Sequence, residues 1–66
     1  MIDILLNGSG QTLSEGTTLA ELIARFGTDP ATVAAVNDAF VPRGHHPAHI
    51  LKPGDRVELL SPMEGG

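Results

Sequence analysis

Thr18-Leu19-Ala20-Glu21-Leu22-Ile23-Ala24-Arg25-Phe26-Gly27 is the stretch on which the fold turns. Thr18 and Glu21 stand three apart, the spacing of a capping box in which each side chain satisfies a backbone N–H of the other residue. Thr17 is an alternative cap. Leu19, Leu22, Ile23 and Phe26 fall at i, i+3, i+4 and i+7, which places them on one apolar stripe of a helix. Gly27 suits the left-handed position after a helix end, and Pro30 bars further extension. The spacing predicts a helix over about 18–26. A single amphipathic helix must bury its stripe on something, and the flanking sequence supplies a sheet.

Upstream, Ile2, Ile4 and Leu6 alternate with Met1, Asp3 and Leu5, the period of a strand buried on one face. Asn7-Gly8-Ser9-Gly10 breaks that pattern with residues that tolerate positive φ, so a hairpin turn is expected, with a short strand through Gln11 to Leu13. Downstream, Thr32-Val33-Ala34-Ala35-Val36 is rich in β-branched residues and reads as a third strand. Ala39-Phe40-Val41, stopped by Pro42, is a fourth. Residues 43–49 form an irregular connection with room for one helical turn. Pro53-Gly54-Asp55 turns the chain into a last strand, Arg56–Leu60. The first and last strands are the most apolar and are expected at the centre. The pattern predicts an α+β fold, a mixed sheet of four to five strands packed on one main helix. That is the β-grasp, or ubiquitin-like, architecture, over residues 1–61.

Composition narrows the function. With 66 residues the chain is one domain, and a chain of that size buries only about 60% of its unfolded surface. It has no cysteine, hence no disulfide and no thiolate for zinc or an iron–sulfur cluster. Four basic residues are scattered among eight acidic ones, giving a net charge of −4, and Phe26 and Phe40 are the only aromatics. Nothing there tracks or stacks on a nucleic acid. No apolar run approaches the ~20 residues that span a bilayer. The N-terminus has no export signal and Met1 reads as the start, so a cytoplasmic protein is expected.

Catalytic groups are sparse. Ser9, Ser14 and Ser61 have no neighbouring histidine in sequence, and Gly8 and Gly10 belong to no phosphate-binding loop. Glu15 and Glu58 read as a solvated face, and Glu21 as a cap. His45, His46 and His49 cluster, but Pro47 interrupts the turn that would align them as metal ligands. An exposed, incidental histidine loop is expected, with partner contact as the alternative and no metal site. The chain is expected to be no enzyme.

The C-terminus is different. Ser61-Pro62-Met63-Glu64-Gly65-Gly66 begins with a proline that ends the strand, since it cannot donate to a ladder. Two terminal glycines carry no Cβ, so backbone and carboxylate can thread a channel too narrow for other residues. By usage alone a chain ends in Gly-Gly roughly once in two hundred, so chance is a real alternative for the pair in isolation. Behind a β-grasp domain, the expectation is a flexible tail over 62–66 that is delivered into another protein's active site. Met63, Glu64 and Gly65 would then be the part of the tail that threads the partner's tunnel.

Val36-Asn37, Val41-Pro42-Arg43, Leu51, Gly54-Asp55-Arg56-Val57-Glu58 and Gly65-Gly66 together resemble the ThiS-type sulfur carriers of bacterial thiamine biosynthesis, a family of ubiquitin-like sulfur carriers. The resemblance implies a cycle in which an adenylating, ThiF-type enzyme uses ATP and Mg²⁺ to activate the carboxylate of Gly66. A cysteine desulfurase relay then supplies sulfur to form a thiocarboxylate, which thiazole synthase consumes. No cofactor is expected to be tightly bound to the carrier itself. The alternatives are a carrier for another pathway, such as the small subunit of molybdopterin synthase or a cysteine or secondary-metabolite carrier, a modifier conjugated to lysines, and a non-catalytic ubiquitin-like interaction module. Molybdopterin synthase small subunits tend to be longer, with an extended helical region. Gly54 is expected to permit its turn, Asp55 to bond nearby backbone and Asn37 to organise the β-turn beside it. Leu60 is expected either in the core or, with Met63, against the partner.

Overall fold

A computed structural model describes residues 1–27 and 29–61. The strands are β1 (Ile2–Leu6), β2 (Ser9–Leu13), β3 (Val33–Val36), β4 (Ala39–Val41) and β5 (Arg56–Leu60). One helix, α1 (Leu19–Phe26), follows the first hairpin, and a 3₁₀ helix, Arg43–Ala48, follows β4. The sheet runs β2-β1-β5-β3-β4. β1 and β5 are parallel and every other pair is antiparallel. The expected mixed sheet on one helix is present, with the two most apolar strands inside it.

The hairpin turns are tighter than composition suggests. Asn7 and Gly8 both take positive φ, 50° and 85°, so two residues suffice and β2 starts at Ser9 rather than Gln11. Left-handed residues at both central positions match the twist of the flanking strands. The β3–β4 turn repeats the device with Asn37 and Asp38, at φ 52° and 70°.

Helix α1 starts as its sequence dictates. Glu21 N–H donates to Thr18 Oγ1 at 3.2 Å, and Thr18 N–H donates to Glu21 Oε1 at 2.9 Å, completing the capping box. Its end differs from expectation. Gly27 is extended, at φ −74° and ψ 144°, and not left-handed. Its N–H reaches Ile23 O at 2.7 Å, and a Cβ there would lie 2.6 Å from that same oxygen. Glycine is needed here for close approach, not for a rare φ.

The stripe on α1 lies on the sheet. Leu19 and Leu22 are fully buried against Ile2, Ile4, Val36 and Val57, with Ile23, Phe26 and Leu59 packed around them. Burial of one such side chain contributes about 1.5–3 kcal/mol, so a few residues account for most of the domain's cohesion. Leu60 is 66% exposed and does not join the core.

Residues 43–49 hold more structure than an irregular connection. The 3₁₀ helix contains Pro47, and it turns His46 inward, 7% exposed, with Nε2 3.0 Å from Val41 O. A carbonyl only accepts, so Nε2 carries the proton. The histidine loop is therefore not uniformly exposed, and His46 is a buried pin between the 3₁₀ helix and β4.

The start of β5 is tied by a second polar cluster. Asp55, 8% exposed, accepts from Lys52 N–H at 2.8 Å and from Asn37 Nδ2 at 3.0 Å. Asn37 in turn accepts from Arg56 N–H through Oδ1 at 2.9 Å and donates its own N–H to Arg56 O at 2.7 Å. Gly54, at φ 83°, supplies the left-handed turn that brings Asp55 round.

Candidate functional site

The residues expected to carry the chemistry, Met63, Glu64, Gly65 and Gly66, lie outside the described residues. What is described is their root, the end of β5. Two neighbours hold it. On the β3 side, Leu60 pairs with Val33, and Thr32 Oγ1 lies 3.1 Å from Ser61 Oγ. Thr32 is itself buried, and its hydroxyl donates to Asp29 O at 2.6 Å. On the β1 side, the Asn7 side chain meets Leu59, with Oδ1 accepting the Leu59 N–H at 2.9 Å and Nδ2 donating to Leu59 O at 3.3 Å. Motif reading missed both contacts.

Beside that root the sheet face turned away from α1 carries exposed apolar side chains around Glu58, which stands opposite Ala35. Val33 and Leu60 stand directly opposite one another in the register, as do Ala35 and Phe40, so each pair shares a face. Phe40, Leu60, Leu5 and Val33 are all exposed. Exposed apolar clusters of this kind mark contact surfaces for other proteins. Arg56 and Asp38 border the face with an ion pair at 3.0 Å, too solvated to contribute much stability.

Among the described residues there is no group of three or more His, Cys, Asp or Glu side chains that could hold a metal. A cleft of about 410 Å³ is lined by Asn37, His49, Ile50, Lys52 and Asp55, but both Asp55 carboxylate oxygens are engaged by Asn37 and Lys52 N–H. A second cleft, about 310 Å³, lies against the strand end and is lined by Asn7, Phe26, Gly27, Thr32, Leu59 and Ser61 among others. Neither pairs a nucleophile with a base. No helix among the described residues is long and apolar enough to cross a membrane.

The family model of the ThiS family matches residues 4–66, nearly the whole chain and its Gly-Gly end. The chain belongs to the ThiS family. Solved structures agree. The crystal structure of thiamine biosynthesis protein ThiS from Geobacter metallireducens is similar at 26% identity and a TM-score of 0.83, covering 98% of this chain and 100% of that one. An NMR solution structure of a thiamine biosynthesis protein from the same organism is similar at 28% identity and a TM-score of 0.81, covering 98% of this chain and 88% of that one. No curated protein matches the chain. ThiS membership bears out the β-grasp fold and the class of small sulfur carrier for thiamine biosynthesis expected from the sequence.

Proposed function

We propose that this chain carries sulfur as a thiocarboxylate on Gly66 and donates it to thiazole ring formation. One observation carries the reading: the ThiS match runs through residue 66, so the family pattern includes the terminal glycines as well as the fold. A carboxylate is a poor electrophile. Attack of the Gly66 carboxylate on the α-phosphorus of ATP, in an adenylating enzyme that supplies Mg²⁺, expels pyrophosphate and leaves a mixed anhydride. A sulfur nucleophile from a cysteine desulfurase relay then displaces AMP, and the net change at the carbonyl carbon is one oxygen exchanged for sulfur. Thiazole synthase takes the sulfur. All catalytic groups belong to those partners, and the carrier supplies a handle and a reach.

Five residues follow Ser61, and at ~3.3 Å each they extend on the order of 15–20 Å. That reach suits entry into a tunnel by Met63, Glu64 and Gly65 while the apolar face bearing Leu60, Val33 and Phe40 docks on the enzyme. The exposure of Leu60 favours partner contact over core packing. A cytoplasmic location, beside its ATP-using partners, belongs to the same reading. The test is intact-mass measurement after incubation with ATP, cysteine, a desulfurase and the cognate adenylating enzyme. Oxygen-for-sulfur exchange is expected in the full chain and is lost on deletion of Gly66, with the fold retained. An unmodified full chain beside an enzyme active on another carrier refutes the proposal.

A further inference from the structure

The geometry points to Asn7 as the positioning residue for delivery of the C-terminus, an inference that rests on the carrier reading above. β1 bonds to β5 through Leu5 N–H to Asp55 O at 3.0 Å and Asn7 N–H to Val57 O at 2.9 Å. The next β5 groups facing that side belong to Leu59, but the chain has by then turned away into the β1–β2 hairpin. The Asn7 carboxamide takes the missing strand's place and engages both the N–H and the C=O of Leu59. A carboxamide suits this position because it presents an acceptor and a donor in one plane, as a peptide group does. Asparagine also tolerates the left-handed φ of 50° that the turn imposes.

The consequence falls on the tail. Leu59 is two residues before Ser61, and on the opposite flank Leu60 and Ser61 are already held by Val33 and Thr32. With Asn7 in place, Leu59 is held on the β1 side while Leu60 and Ser61 are held on the β3 side. Without it, Leu59 loses its only partner on the β1 side among the described residues. Leu60 and Ser61 keep their β3-side partners, but the strand end is then held on one flank only and its direction of exit is less fixed. A less fixed exit spreads the positions the C-terminus reaches, so the carboxylate is presented at the reacting phosphorus less often. Because Leu60 stays paired with Val33, docking through the exposed sheet face is retained. The loss therefore falls on turnover rather than on affinity.

Asn7→Gly isolates the effect, because glycine keeps the left-handed φ and removes the amide. Asn7→Asp keeps the acceptor for Leu59 N–H and removes the donor. The measurements are steady-state adenylation of the full chain by the cognate enzyme, with kcat and KM for the carrier separated, and amide exchange at Leu59. For Asn7→Gly the expected result is a kcat lower by about tenfold or more, KM within about twofold, and faster exchange at Leu59 with core amides protected. Asn7→Asp falls between it and the wild type, and carries the test if the glycine variant does not fold. A wild-type kcat in a folded variant, or a rise confined to KM, overturns the positioning role and leaves the carrier reading standing. A wild-type chain that is never adenylated overturns both.

Discussion

Asn37 and Asp55, 18 residues apart in the chain, are joined by a 3.0 Å hydrogen bond from Nδ2 to Oδ1. The contact ties the β3–β4 turn to the turn that launches β5, the strand from which the C-terminus departs. Asn37 Oδ1 accepts the Arg56 N–H, and Asp55 Oδ2 accepts the Lys52 N–H. The two short motifs Val36-Asn37 and Gly54-Asp55 are thus one structural unit.

Asp55→Ala leaves Lys52 N–H and Asn37 Nδ2 without their acceptor at a partly buried place. The expected loss is about 2–3 kcal/mol. In a domain of this size each kcal/mol lowers Tm by about 4–8 °C. A thermal melt checks it, and a melt within 2–3 °C of wild type, well under one such step, shows the unit to be dispensable.

Gly27→Ala and Gly54→Ala both destabilise, for different reasons. At Gly27 the new Cβ meets Ile23 O at 2.6 Å, and relief requires the helix end to shift, at about 1–3 kcal/mol. At Gly54 the space is open but φ is 83°, which costs an alanine roughly 1–2 kcal/mol. Asparagine separates them in urea denaturation. Gly54→Asn recovers much of the loss because asparagine tolerates that φ, whereas Gly27→Asn recovers none.

Phe40→Asp and Leu60→Asp remove apolar contact area from exposed positions. Neither side chain is in the core, so denaturation midpoints stay close to wild type. Docking on the adenylating enzyme weakens, and KM for the carrier rises by about tenfold, as for a loss of about 1.4 kcal/mol at an interface. Unchanged KM in both variants places the docking surface elsewhere.

His46→Ala empties a buried ring and strips the hydrogen bond from Val41 O. A loss of about 2–4 kcal/mol is expected from the cavity and the orphaned carbonyl together. His45→Ala, at an exposed position, stays within about 0.5 kcal/mol of wild type. Equal effects at the two sites contradict the inward placement of His46.

What could be read in advance follows from the range of each interaction. The α1 cap and stripe are encoded within nine residues, and the strands announce themselves by alternation, so the element order and the central places of β1 and β5 were legible. Partners 52 residues apart, as Asn7 and Leu59 are, leave no local trace. Asn7-Gly8 signals a turn equally well whether or not the side chain has a distant role. The inward turn of His46 was hidden for a related reason: Pro47 argues against an α-helix but is accommodated in a 3₁₀ helix. Gly27 was assigned the usual reason for a glycine after a helix, and only the proximity of Ile23 O reveals the other one. The role proposed for Gly66 rests on a terminal carboxylate and a thin backbone, both properties of sequence alone.

The most direct test of the account is where sulfur resides after activation. The chain is incubated with ATP, cysteine, desulfurase and the adenylating enzyme, then fragmented in the mass spectrometer. The account predicts oxygen-for-sulfur exchange confined to Gly66. Sulfur found on any other residue, or an unmodified chain beside an enzyme that loads another carrier, contradicts it.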